Sequence, residues 1–177
     1  MKVKPSVADT VPFRQTSDGA ESTAQQAALA AAVGASDAPP TLLVNIDVAD
    51  LEQAIEFYTV GICLTVRRRL GPSIVELLGA SSPIFLTEQP TDSLPFAQAT
   101  LRREYRRHWT SVHLDFVVHE LEPAVRRAES AGARVEGETQ EFGWGRYRVM
   151  ADPFGNGFCL LQFEGGGYAS LEPSGGA

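Results

Sequence analysis

One local pattern occurs twice in this chain, and it constrains the fold more than any other feature. TLLVNIDV, starting at Thr41, is a β-branched and apolar run of the kind that forms a strand. ADLEQAIEFYTVGI follows, with Leu51, Ala54, Ile55 and Tyr58 at helical spacing on one apolar stripe. Asp50 stands where an N-cap belongs, with Gln53 three residues on. Three short strand candidates come next: LTVRRRL, SIVELL and PIFLTE, separated by GP and GASS. The same order then returns. SVHLDFVV is a strand, and HELEPAVRRAESAGA a helix with Leu121, Ala124, Val125 and Ala128 on one side. RVEGETQEF, GRYRVMAD and GFCLLQF close the second copy. Anchoring Leu51-Glu52 on Leu121-Glu122 gives an offset of 121 − 51 = 70 residues. The chain is a βαβββ unit written twice, an α+β pattern.

The repeat leaves flanking segments. Residues 1–40 are rich in Ala, Ser, Thr, Gln and Pro, and their one helical stretch, AESTAQQAALAAAV, offers little but alanine to bury. This segment reads as a flexible N-terminal arm. The units then span 41–89 and 111–165, joined by a connection over 90–110 and followed by a tail over 166–177. Composition narrows the function classes. With 44% hydrophobic and 21% charged residues in 177, the chain has the make-up of one globular domain. A net charge of −7 argues against nucleic acid or an anionic membrane as partner. Two cysteines make no disulfide framework, and no stretch reads as a signal peptide or a membrane span. A cytoplasmic protein is the expectation. No phosphate-binding loop, dinucleotide fingerprint, zinc-protease motif or nucleophile elbow is present.

Two motifs sit on the repeat: V-x-D-L-E-x-A-x-x-F-Y from Val48 to Tyr58, and the turn D-P-x-G-N from Asp152 to Asn156. Together with the doubled unit, over roughly Thr41 to Phe163, they resemble the vicinal oxygen chelate superfamily. Its members include glyoxalase I, extradiol dioxygenases and the bleomycin- and fosfomycin-resistance proteins. The resemblance implies two tandem modules forming a cupped pair of half-barrels, homodimers, and in the metalloenzymes one ligand from the first and one from the last strand of each module. Carried over here, those positions give an uneven set. The second module supplies His113 and, near its end, Cys159, where a glutamate is usual. The first supplies Leu43 or Asn45, depending on the alignment, and Phe85, with Glu88 reached by a register shift.

One usual ligand of four leads to the main expectation: a small-molecule-binding protein with the usual metal site largely lost and no cofactor. Strand parity groups Asn45 with Asp47 and His113 with Asp115 on the cup side. Asn45 and Asp47 are then polar ligand contacts and His113 with Asp115 an acid–base pair, with Phe85, Trp144 and Cys159 as walls. Alternatively Asp47 and Asp115 pair with arginines, such as those of VRRRL, to join the two halves. A second functional reading is a divalent-metal lyase, isomerase or dioxygenase that uses His113 with Glu88 or another carboxylate, Glu76 among them. A third is a non-catalytic interaction module. Cys63 reads as a core residue. LRREYRRHW reads as a helical turn with Arg102, Arg103, Arg106 and Arg107 on one side, and FGWGRY as a strand connection with Trp144 either on a mobile flap or as a hairpin plug.

Overall fold

The computed structural model describes residues 40–171. The readings of a flexible arm and of the last six residues fall outside them. Within the described chain the two βαβββ modules form as expected. β1 (Val44–Val48) leads into α1 (Leu51–Glu56), and β2 (Thr65–Arg69), β3 (Ile74–Leu78) and β4 (Ile84–Glu88) follow. The sheet order is β1-β4-β3-β2, with β1 parallel to β4. A parallel pair needs a crossover, and α1 is the start of it. The second module repeats this with β5 (Leu114–Val117), α2 (Leu121–Ser130), β6 (Arg134–Phe142), β7 (Gly145–Ala151) and β8 (Gly157–Phe163), in the order β5-β8-β7-β6.

Alternation along the strands separates two faces. Ile46, Val48, Val75, Leu77, Ile84 and Leu86 point to the helix side of the first sheet and are buried. Phe158, Leu160 and Met150 do the same in the second. Asn45 lies beside Phe85 on the other face, and Asp115 beside Cys159. Asn45 and Asp115 are therefore equivalent, at the spacing that Leu51 and Leu121 share. The helix-anchored alignment holds, and His113 has its equivalent at Leu43.

Capping also repeats. Asp50 Oδ1 accepts from Gln53 N at 2.9 Å, and Glu88 Oε2 accepts from Leu51 N at 2.9 Å, so two amides at the start of α1 are satisfied. At α2 the Gln162 side-chain oxygen accepts from Leu121 N at 2.8 Å. Glu88 and Gln162 thus hold the same place in their modules: each caps a helix from the last strand.

After Glu56 the first helix widens into a π-helical turn, Phe57–Gly61, which meets the second module. Phe57 packs edge-on to Phe158, with centroids 6.0 Å apart. A side chain at Gly61 would press on Ala131 and Ala128, so glycine permits this approach. The Arg127 guanidinium donates to Gly61 O. Tyr58 donates its hydroxyl to Asp152 Oδ2 at 2.9 Å. Asp152 is buried and also accepts from Phe154 N, Asn156 N and the Asn156 side-chain amide. Burial raises its pKa, while the bonds from Asn156, Tyr58 and Phe154 pull it back down. The two quoted motifs are one structure: the Tyr of the first bonds the Asp of the second.

The connection over 90–110 crosses from module to module without forming a helix. Its inward side chains recur at every second residue. Arg103 meets Asp47 at 2.6 Å, Tyr105 donates to Gln89 O and packs by Phe154, and Arg107 donates to both Glu136 oxygens. This period of two is that of an extended segment. Four arginines on one side of a helical turn are therefore not what forms: Arg106 pairs with Glu104, and Arg102 donates to Asp92 O. Gly155, at φ +85°, lies beneath this strap, and a Cβ there would come within 2.9 Å of the Arg106 carbonyl carbon. Cys63, read as core, is exposed at the turn into β2 with φ +65°.

Tyr58→Phe leaves Asp152 one donor short, and should cost about 1–2 kcal/mol. Asp152→Ala strands two backbone amides and the tyrosine, and should cost about 3 kcal/mol or more. Urea denaturation of the two variants beside the wild type checks the order. Gly155→Ala should loosen the strap and speed tryptic cleavage within 102–107, read by mass spectrometry of the first fragments.

Candidate ligand-binding site

Each sheet has a face turned away from its helix, and the two faces carry different chemistry. On the first, charges neutralise one another. Glu76 is buried on β3 and takes Arg67 at 2.8 Å and Arg68 at 2.5 Å. Asp47 is held by Arg103 of the strap. Phe85 lies between Asn45 and Glu76 in the sheet register. Asp47 does pair with an arginine, but from the connection. The arginines of VRRRL go to Glu76 and, through Arg69, to Glu52.

The second sheet is open and aromatic. β6 and β7 are joined by a two-residue turn, Gly143-Trp144. Gly145, at φ +142°, lies so close to β8 that a Cβ would overlap the Gln162 carbonyl oxygen, which makes the tight hairpin possible only with glycine. Trp144 is not on a free flap. Its ring is nearly parallel to Phe142 and Tyr147 (6° and 4°), and Tyr168 leans on it with centroids 4.8 Å apart. Tyr168 reaches this place because the short 3₁₀ turn Gly167–Leu171 folds back over Phe163. Trp109 sits 5.3 Å from the His113 ring, and the Arg107 guanidinium lies over the Trp109 ring at 5.6 Å.

These rings enclose a hollow of ≈ 230 Å³ with His113, Asp115 and Cys159 among its lining. His113 Nε2 lies 3.3 Å from Asp115 Oδ1. Cys159 is buried beside Asp115, and burial first, then the charge and hydrogen bond of Asp115, push its thiol up to about 12. It is a neutral S–H, neither nucleophile nor ready thiolate. One potential ligand atom from each of the three residues lies within 4.8 Å of the others. A wider cleft of ≈ 490 Å³ runs along the seam between β1 and β5, lined by Asn45, Asp47, Tyr58 and Tyr105 among others, and His113 borders both spaces.

Sorted by place, the expected site residues fall into groups. His113, Asp115, Cys159 and Trp144 share the aromatic hollow, while Asn45 and Asp47 line the seam cleft. Phe85 lines neither. Glu88 shares no site with His113, because its carboxylate is turned to the helix side to cap α1. Glu76 is likewise taken up by its two arginines. Sequence reading missed Tyr147, Tyr168 and Trp109. Tyr147 was accessible by parity, two residues before Val149 on the same face of β7. Tyr168 lies past the last strand, where no periodicity points inward. Among the described residues no helix is long and apolar enough to cross a membrane.

Comparison with known proteins agrees with this architecture. The family model described as a glyoxalase-like domain matches residues 43–161. No curated protein matches the chain. Among solved structures, the chain is similar to a glyoxalase-related enzyme from Fulvimarina pelagi, with 18% identity and a TM-score of 0.56 over 70% of this chain and 87% of that one. A glyoxalase/bleomycin resistance protein/dioxygenase family enzyme from Burkholderia phytofirmans gives 19% and 0.52 over 69% and 97%. The fosfomycin resistance protein FosX of Listeria monocytogenes gives 19% and 0.54 over 71% and 94%.

The contrast between the two thiols gives a direct check. With iodoacetamide at mildly alkaline pH, exposed Cys63 should be alkylated while Cys159 resists until the chain is unfolded. Peptide mass spectrometry over time reads both sites, and equal rates would contradict the buried, protonated thiol.

Proposed function

The chain belongs to the glyoxalase-like domain family, and from that premise we propose that it binds a small molecule in the aromatic hollow of its second module, without the divalent ion used by metalloenzymes of this fold. What supports the reading is the group of rings, Trp109, Trp144, Tyr147 and Tyr168, set around His113 and Asp115 in one concavity. His113 and Asp115 are the polar contacts, and the rings supply the contact area. The seam cleft beyond His113 gives a longer ligand a second place to extend.

The donor set supports the part of the proposal that concerns metal. A variant of the Listeria protein has been crystallised with Mn(II) and 1S,2S-dihydroxypropylphosphonic acid. A hard ion of that type asks for several oxygen and imidazole donors. Here the positions equivalent to Asp115 and Cys159 are Asn45 and Phe85, and Glu76 and Glu88 are engaged elsewhere. The residues do not fit such an ion.

One observation favours a second reading. His113, Asp115 and Cys159 lie close enough together to hold a softer ion such as zinc, which would supply Lewis-acid chemistry to an enzyme of this family. In that case Cys159 would have to lose its proton on binding, and His113 would serve as a ligand instead of a proton-exchanging group.

Metal analysis separates the two. Protein purified without chelator should carry far less than one ion per chain, with the same result for His113→Ala, and small-molecule stabilisation of the fold should ignore chelator. A near-stoichiometric ion that disappears in His113→Ala would overturn the metal-free reading and favour the second.

A further inference from the structure

We infer that the hollow of the second module selects a small planar organic cation, such as a one- or two-ring N-alkylated heteroaromatic. The inference rests on the binding reading above and names the ligand class for that same site.

The first argument is the charge around the hollow. Among the described residues Asp115 is its one acidic lining residue, and no lysine or arginine lines it. The arginines nearest in sequence are turned away and engaged. Arg146 goes to Glu122 and Gln162 on the helix side, Arg148 to Thr139 and Gly137 O, and Arg107 to both oxygens of Glu136. An anion would meet Asp115 with only His113, whose Nε2 lies 3.3 Å from Asp115 Oδ1, to offset it. Cys159 adds no charge in its protonated state.

The second argument is the rings. Aromatic faces carry negative quadrupole potential and attract cations, most strongly at tryptophan. Trp144 and Tyr147 line the hollow with planes 4° apart, and Phe142 backs both at 6° and 5°. The three rings are offset-stacked in one orientation, and a flat ligand can add to such a stack where a compact tetrahedral one cannot. Size sets the last limit. At ≈ 230 Å³ the hollow falls below the range of drug-sized pockets, so one or two fused rings fill it.

The test uses the full chain near neutral pH and isothermal titration with four probes. These are 1-methylquinolinium, neutral quinoline, anionic 1-naphthoate, and tetramethylammonium as a cation without a plane. The expected result is 1-methylquinolinium binding about ten-fold or more tighter than the other three. Asp115→Asn should bring 1-methylquinolinium down to the level of quinoline and leave quinoline unchanged. Trp144→Leu should weaken both planar probes, with Tyr147→Leu in its place if the first variant does not fold by circular dichroism. Quinoline or 1-naphthoate binding as tightly as the cation overturns the charge selection but leaves the binding reading standing. Tetramethylammonium binding as tightly overturns the planar requirement, and a preference that survives Asp115→Asn overturns the role of Asp115. Failure of every probe to bind overturns the cation assignment, while the binding reading stands or falls on chelator-independent stabilisation by other small molecules.

Discussion

Asp152 accepts four hydrogen bonds in a space almost closed to water, and one of them comes from the other module. Its carboxylate fixes the turn before β8 by taking two backbone amides and the Asn156 side chain. The Tyr58 hydroxyl then ties that turn to the π-helical segment after α1. A buried carboxylate without these partners would be costly, so the turn and the seam between modules form together or not at all. The strap rests on the same turn, against Gly155. Asp152 itself lines neither concave space, yet it sets where β8, and with it Cys159, stands relative to β1 and β5.

From that shared frame the two halves diverge. In the first, Arg67, Arg68 and Glu76 close a charge network on the face away from the helix, and Arg103 reaches from the strap to Asp47. Such pairs leave little free charge for a ligand. In the second, the two-residue hairpin at Gly143-Trp144 and the fold-back at Gly167–Leu171 carry rings over the sheet. The duplicated unit has kept its scaffold in both copies, down to the caps supplied by Glu88 and Gln162, while its open chemistry lies in one.

Local patterns carried most of the fold. Alternation in VNIDV and LDFV, helical stripes at Leu51 and Leu121, and Gly- and Pro-marked turns are signals that act within a few residues of their cause. The grouping of His113 with Asp115 was legible by parity for the same reason. What escaped depends on partners far away in sequence. Glu88 looks like a displaced ligand until its bond to Leu51 N, 37 residues earlier, is seen. Leu101–Trp109 reads as a charged helical turn, but Asp47, Gln89 and Glu136 draw alternate side chains inward and hold it extended. Tyr168 follows a run of glycines that looks like the end of structure, and its contact with Trp144 is purely tertiary.

Binding in the aromatic hollow without metal can be read directly, because the two tryptophans allow a measurement that reports place and metal dependence at once. In ¹H–¹⁵N and methyl NMR spectra recorded with excess chelator, titration with 1-methylquinolinium should shift the Trp144 indole signal and the Val149 methyls together and to saturation. Shifts confined to Val44 and Val112 in the seam cleft, or shifts that appear only when chelator is replaced by a divalent ion, would contradict it.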